Sequence, residues 1–226
     1  MVNSRPGPPG HRSPHGGAVH DSDGPVRRTQ ASRRARAEEC LLEAAIQVIG
    51  DKGLEGFTLA EVGVAAGYSS GLTAHYFRKK DLLLEAVAAQ IITRMRQGVV
   101  ACFIATPGLQ GLIAGATYFL DQAETWPQAT RAFLLVAGEA LQKPELKTLV
   151  ADLSRTTRER LVEEMELAAA RKEIRKDLDL EMEAFLLLGT LRGVLQLWLT
   201  DPDAVRLADL RAAIAGQIQE RLATRP

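Results

Sequence analysis

The sequence predicts an all-α protein of about nine helices, on three observations. Apolar residues recur at helical spacing from Ala31 onward, as in Leu41, Ala45 and Val48. No segment alternates apolar and polar residues over the length of a strand, and no repeat of fixed length is present. Prolines and glycines interrupt the pattern at intervals typical of helices, most clearly at Pro107-Gly108.

Composition and charge differ between the N-terminal segment and the rest of the chain. The 226 residues carry no formal net charge and are 46% hydrophobic, enough for a core. Residues 1–37 nevertheless hold seven arginines and two aspartates. Residues 1–26 contain five prolines, five glycines and almost nothing apolar, so we predict that 1–30 is a disordered basic tail. Its three histidines could form a metal-binding tail, but no thiol or carboxylate cluster accompanies them, and we predict no metal site.

The order of the elements follows from their start and stop signals. A first helix from Ala31 ends at Gly53, and two short helices lie between Thr58 and Phe77. The expected helices beyond them are a long one from about Lys79, then 109–123, Pro127 to Gln142, one from Pro144, 180–199 and 203–222. We therefore divide the chain into the tail, a helix-turn-helix domain over 31–78, and a helical domain over 79–226.

The short helices have the signals of a helix-turn-helix. Thr58 and Glu61 match a capping box, in which the threonine oxygen accepts from the backbone three residues on and the glutamate reaches back. Gly67 can adopt the left-handed conformation of a tight turn, and Ser69 is placed to cap the second helix. Gly63 is small where the two helices must pass closely. In such units the second helix lies in the DNA major groove.

Residues in and around this unit are suited to binding DNA. The second helix offers small polar side chains that let its backbone approach base edges. Arg78-Lys79-Lys80 follows at the start of the next helix, and an arginine-rich arm precedes the first. The candidate DNA contacts are Arg33, Arg34, Thr58, Ser69, Ser70, Gly71, Thr73, His75, Tyr76, Lys79 and Lys80. Tyr76 and Phe77 could instead be core aromatics, and His75 a plain surface residue.

The stretch TLAEVGVAAGYSSGLTAHYFRKKDLL, from Thr58 to Leu83, resembles the TetR family of bacterial transcriptional regulators, with the run SGLTAHYF similar to the choline-responsive repressors. The resemblance implies that Tyr76 and Lys80 hold phosphates, and that Ser70 and Thr73 face the groove. Two positions depart from the pattern. Many members have Leu-Tyr where this chain has Thr73-Ala74, and many have alanine at the position of Gly63, where glycine costs about 1 kcal/mol of helix propensity.

An enzymatic function has one superficial signal. Gly67, Ser69 and Gly71 match G-x-S-x-G, the nucleophile motif of α/β-hydrolases. That motif needs a strand turning sharply into a helix, and here a capped helix precedes it. We therefore predict that the protein is not an enzyme and has no cofactor.

The helical domain is expected to dimerise and to bind a small-molecule effector. The segment from Phe185 to Leu199 is apolar on nearly every side, which is typical of a helix buried between its own domain and a partner. The candidate interface residues are Phe185, Leu188, Leu191, Leu195, Trp198 and Ile214, and the last two helices form the dimer interface in the family. The candidate effector residues are Phe103, Tyr118, Gln122, Trp126, Phe133 and Glu139. Aromatic residues make up only 5%, so an aromatic cage for a quaternary ammonium is not supported.

Together these features predict a dimeric repressor that binds a palindromic double-stranded DNA operator and is released by a small molecule. The alternative is a helical ligand-binding or scaffold protein with lost or weak DNA binding. Cys40 and Cys102 are far apart and are expected to be reduced thiols. No apolar run approaches the roughly 18 residues of a membrane span. We therefore expect a cytoplasmic protein with no membrane partner.

Overall fold

The computed structural model describes residue 1 and residues 30–224. Within that part the chain forms nine α-helices and no strand, which confirms the predicted all-α class. They are α1 Gln30–Lys52, α2 Leu59–Ala65, α3 Ser70–Tyr76, α4 Lys80–Ala105, α5 Leu109–Thr125, α6 Pro127–Glu139, α7 Pro144–Ala170, α8 Leu180–Thr200 and α9 Leu207–Leu222. The tail predicted over residues 1–30, with His11, His15 and His20, lies almost entirely outside the described residues.

Most helix ends lie within two residues of the sequence prediction, and α9 is the clearest exception. It begins at Leu207 rather than at 203. The Trp198 indole donates to the Val205 carbonyl at 3.0 Å and holds the preceding turn against α8. The Arg206 guanidinium bonds both Asp209 carboxylate oxygens at 2.7 Å, which stabilises the first turn of α9.

The buried side chains form two clusters, and α4 contributes to both. The first cluster contains residues of α1, α2 and α3, of the first half of α4, of α6 and of the start of α7. The second joins α5, the end of α7, α8 and α9. Met95 of α4 belongs to the first cluster and Phe103, two turns later, to the second. A single rigid helix therefore connects the helix-turn-helix to the interior of the larger domain.

A second connection joins α1 directly to α6. A Cβ built on Gly50 would lie 2.6 Å from the Gln128 backbone oxygen, so the two helices cross at a separation that only glycine permits. Nearby, the Lys143 ammonium pairs with Asp81 at 2.9 Å and with Glu139 at 3.3 Å. The bond to Asp81, followed by that to Glu139, raises the pKa of Lys143. Because Asp81 lies in the first turn of α4, this pair fixes the base of that helix to the α6–α7 connection.

Two helices, α4 and α8, are long and apolar enough to cross a membrane by length and composition alone. Counting uninterrupted apolar residues misses them, because a mean hydropathy tolerates scattered polar residues. The same test selects core helices of soluble proteins. Both helices are packed within the helical body, α4 against α5 and α8 against α7.

Candidate functional site

The capping box at the start of α2 is present as predicted. The Thr58 hydroxyl accepts from the Glu61 amide at 3.2 Å, and the Glu61 carboxylate accepts from the Thr58 amide at 2.9 Å. Lys52, at the end of α1, donates to the same carboxylate at 2.8 Å. The Lys52 bond, followed by the Thr58 amide and hydroxyl bonds, lowers the pKa of Glu61. The first helix and the start of α2 are thereby joined through one ionised side chain.

The turn between α2 and α3 is built from glycine. Gly67 has φ +76°, the left-handed conformation predicted for it, and the Tyr68 amide closes the turn on the Gly63 carbonyl at 2.9 Å. A Cβ on Gly63 would lie 2.8 Å from the Ser69 carbonyl oxygen, so glycine permits the close approach of the two helices. Ser69 is at the N-cap of α3, but its side chain makes no capping hydrogen bond, and that detail of the prediction is wrong.

One face of α3 is exposed and carries only small side chains apart from His75 at its C-terminal end. Ser70, Gly71, Ala74 and His75 are exposed, and their spacing places them on a single side of the helix. Ser69 is exposed beside them. The first turns of a helix with this face can approach a surface closely.

Thr73 is not on that face. Its side chain is 0% exposed, so the expectation that it faces a groove is wrong. Position 73 is two residues from both 71 and 75, which puts it on the opposite side of the helix. Among residues 30–224 the Thr73 hydroxyl has no hydrogen-bond partner, and it faces the position where Gly63 lacks a Cβ.

Tyr76 ties the end of α3 to the start of α1. Its hydroxyl donates to the Arg34 carbonyl at 3.4 Å, and the Arg34 guanidinium lies 5.8 Å from the ring centroid. The ring is half-buried, whereas the neighbouring Phe77 is a core residue. Arg33 and Arg34 are exposed. The structure therefore brings two of the predicted arginines beside the exposed face of α3.

The lysines that open α4 differ in exposure. Lys79 is exposed, as is Arg78 before it. The Lys80 ammonium instead donates to the Leu54 carbonyl at 3.2 Å and lies 4.2 Å over the Phe57 ring. Thr58 is exposed, with its hydroxyl engaged in the cap. Exposed cations therefore lie near the C-terminal end of α3, with Arg33 and Arg34 beside His75 and Tyr76, and with Arg78 and Lys79 directly after the helix.

The larger domain encloses a second candidate site, a cavity of about 80 Å³ between α4, α5, α6, α7 and α8. Phe103 and Phe133 line it, as expected from the sequence. The other four effector candidates, Tyr118, Gln122, Trp126 and Glu139, lie outside its lining, so the structure does not bring them together with Phe103 and Phe133.

The four candidates outside the lining make other contacts. The Arg94 guanidinium lies 4.0 Å over the Trp126 ring. Gln122 donates through its amide nitrogen to the Tyr118 carbonyl at 3.3 Å. The Glu139 carboxylate forms its ion pair at the end of α6. Polar and aromatic residue types alone did not distinguish helix–helix packing from cavity lining.

Sequence reasoning missed the polar lining of the cavity. Its polar side chains are Arg96, Thr157, Arg160 and Arg192. A signal for one of them was available. Arg192 is the only charged residue from Ala184 to Thr200, inside the most apolar helix of the chain.

The predicted dimer residues divide between two sides of α8. Leu188, Leu191 and Leu195 are buried within the protomer, as is Ile214 of α9, so their assignment to a partner surface is wrong. Their spacing of three and four residues marks the side that packs inward. Trp198 is half-buried. The large apolar residues exposed on the outer side are Met182, Phe185, Leu186 and Leu197.

A helix-turn-helix with an open α3 face, joined by one long helix to a cavity-bearing helical domain, defines the class of transcriptional regulators that combine DNA binding and sensing in one chain. The comparisons agree with this class. Residues 41–87 match the family of bacterial regulatory proteins named tetR. Residues 111–223, half of the chain, match the C-terminal domain of BetI-type transcriptional repressors. The chain belongs to the TetR family, is a ligand-responsive transcriptional regulator of repressor type and is not an enzyme.

Relatives and solved structures are similar over most of the chain. The transcriptional regulator BetI of Escherichia coli strain K12 is 29% identical over 139 residues, which is 59% of this chain and 70% of that protein. The structure of a transcriptional regulator from Saccharomonospora viridis in complex with choline has a TM-score of 0.77 at 17% identity, covering 84% of this chain and all of that one. A TetR-family regulator from Rhodococcus gives 0.74 at 20% identity, with the same coverage. At these identities the structures establish the shared fold.

Proposed function

We propose that the protein is a cytoplasmic homodimeric repressor that binds a pseudo-palindromic operator and is released when a small molecule occupies the cavity. The observation that carries the proposal is the open face of α3, at one end of α4, with the cavity at the other end. One helix-turn-helix reads only a half-site, so two copies related by a two-fold axis match a palindrome.

DNA binding is assigned to the α3 face and the cations around it. Ser69, Ser70 and Gly71 let the helix backbone approach the floor of the major groove, where hydroxyls donate to and accept from base edges. Exposed Arg34 and Lys79, both near the end of α3, are placed for phosphates, which fix the position of the helix without reading sequence. Lys80 can reach a phosphate only by leaving the Leu54 carbonyl, so we rank it after Lys79.

Dimerisation is assigned to the outer side of α8. Phe185 is 58% exposed and Leu197 is 73% exposed, two large apolar side chains on one helix. Gly189 and Gly193 lie between them and are also exposed, which leaves room for a second helix to pack closely. An apolar face of this kind is typical of a protein–protein interface, and a second copy of the chain is the partner that the two-fold operator requires.

The route from effector to DNA follows α4. Met95 and Phe103 are at the cavity, and Lys80 begins the same helix beside α3. The close crossing of α1 and α6 at Gly50 gives a second contact between the two domains. A ligand that binds better to one arrangement of these helices shifts the population toward it. We propose that the favoured arrangement separates the two α3 helices by a distance that no longer matches the operator.

The test of DNA binding uses duplexes from upstream of the protein's own gene and of its neighbours, measured by fluorescence anisotropy across a salt series. We expect a salt-dependent specific complex. Replacing Lys79 or Arg34 by alanine should weaken it and lower the magnitude of the salt slope by about one per residue. Lys147→Ala, an exposed lysine on α7, is the control and should change neither. Absence of a specific complex with every duplex at low salt would refute the proposal.

The test of dimerisation is light scattering coupled to size exclusion. The wild-type protein should have the mass of a dimer. Leu197→Glu should have the mass of a monomer, because a carboxylate would be desolvated in the apolar interface. Leu141→Glu is the matched control, since Leu141 is 85% exposed on a turn away from α8. A monomeric wild type, or a Leu197→Glu variant that remains dimeric, contradicts this assignment.

A further inference from the structure

The polar side chains that line the cavity are suited to binding a negatively charged group. Three of the four polar lining residues are arginines, and the fourth is Thr157. Within the described residues no carboxylate contributes to the lining. The remaining wall is apolar. Its residues include Ile92, Met95, Val99, Leu112, Leu161 and Leu188.

Of the three arginines, Arg192 has the strongest need for an anionic partner. Its guanidinium donates to the Ser154 hydroxyl at 3.0 Å and forms no ion pair in the described part of the chain. The Nε atom is buried and has no hydrogen-bond partner in the same part of the chain. Burial lowers the pKa of Arg192. A desolvated cation without a counter-charge is unfavourable, and an anion in the cavity would supply both the charge and the missing acceptor.

The other two arginines add to the positive potential. Arg96 is exposed at the cavity and has no ion-pair partner among residues 30–224. Arg160 pairs with Glu163, so its charge is partly balanced. The lining therefore keeps an excess of positive charge without any titration, since guanidinium groups remain protonated in proteins.

The cavity is correspondingly unsuited to a quaternary ammonium. Such cations are bound over the faces of aromatic rings. The Arg192 guanidinium lies 5.4 Å from the Phe133 ring centroid, and the Arg160 guanidinium lies 5.9 Å from that of Phe103. Two of the aromatic rings at the cavity are thus already engaged by cations of the protein itself.

We propose that the effector is an organic anion with an apolar body, of the carboxylate class, with its head group on Arg192 and Arg96 and its body against the apolar wall. This inference rests on the proposed function, because it names the chemistry of the effector for the same cavity. It separates this chain from the choline-bound structure that shares its fold.

The test uses the full chain and probes that differ in head-group charge. Octanoate, 1-octanol, octyltrimethylammonium, benzoate and choline are titrated by calorimetry, with thermal unfolding as a second readout. We expect at least one of the two carboxylates to bind and to raise Tm with concentration, and the cations to do neither. Arg192→Met keeps the length and apolar character of the stem and should weaken carboxylate binding roughly tenfold or more. Arg155→Met, an exposed arginine on α7, should leave it unchanged.

Binding by neither carboxylate, equal binding by the Arg192→Met variant, or tighter binding of a cation would overturn the inference. A variant that fails to fold is recognised from its melting curve, and Arg192→Lys then replaces it, with weakened carboxylate binding expected because the bidentate geometry is lost. Operator release separates the two proposals. If carboxylate binding depends on Arg192 but leaves the operator complex intact, regulation through the cavity is refuted. If choline alone releases the operator, only the anionic effector is refuted.

Discussion

Thr73 gives the sharpest prediction, because replacing it by valine should stabilise the protein. The side chain is 0% exposed and its hydroxyl has no hydrogen-bond partner within the described residues. Threonine and valine have the same branched shape, and both restrict χ1 in a helix. Gly63, which faces the hydroxyl, has no Cβ, so a methyl group in place of the hydroxyl meets no side chain of residue 63. Thr73→Val therefore removes a desolvated polar group without removing a contact.

The expected size follows from the cost of leaving a buried polar group unpaired, about 1–3 kcal/mol. A gain near the lower end, about 1 kcal/mol, allows for the imperfect match between hydroxyl and methyl. For a chain of this length that corresponds to a rise in Tm of roughly 2–4 °C. Operator affinity should be unchanged, because the side chain is on the inner side of α3.

Thermal unfolding at one fixed protein concentration measures this gain, and Thr130→Val is the matched control. Thr130 is also 0% exposed, but its hydroxyl donates to the Gln122 carbonyl at 2.9 Å. The same substitution there removes a buried hydrogen bond and should lower Tm. Opposite signs for the two variants would isolate the hydrogen bond from the threonine-to-valine change itself.

Two results would refute the reasoning. A fall in Tm for Thr73→Val would mean that its hydroxyl has a partner in the folded protein. A loss of operator affinity with unchanged Tm would mean that Thr73 contacts DNA, as the family resemblance implied, and that α3 is rotated from its position in this structure.

Three further predictions concern the elements that position α3. Thr58→Ala should remove the capping box and lower stability by about 1 kcal/mol, seen as a lower Tm. Gly50→Ala should lower Tm, since its Cβ would meet the Gln128 backbone, whereas Gly138→Ala, with nothing within 4 Å, should be neutral or stabilising. Glu61 has a lowered pKa in the folded state. Its ionised form therefore stabilises the folded protein at neutral pH, and this stabilisation is lost as the pH falls through the folded pKa. Glu61→Gln should flatten the acid limb of a Tm-against-pH curve.

The sequence by itself determined the features that depend on neighbouring residues. The capping box of Thr58 and Glu61 and the left-handed Gly67 were predicted correctly, because each depends on groups only a few residues apart. Helix boundaries were predicted for the same reason. The boundary that moved most, at α9, is held by Trp198 of the preceding helix, a contact that periodicity does not describe.

Only the tertiary structure decided which side of each helix is covered. Thr73 and Ser70 are both small and polar, yet one is buried against Gly63 and the other is exposed. Leu191 and Leu197 are both apolar residues of α8, yet one packs inward and the other faces solvent. Arg192 stands out in the sequence as the only charged residue from Ala184 to Thr200, but its orientation toward a cavity depends on five helices meeting around it. Helical periodicity fixes the relative orientation of side chains on one helix, whereas the rotation of that helix against its neighbours is set by packing between distant parts of the chain.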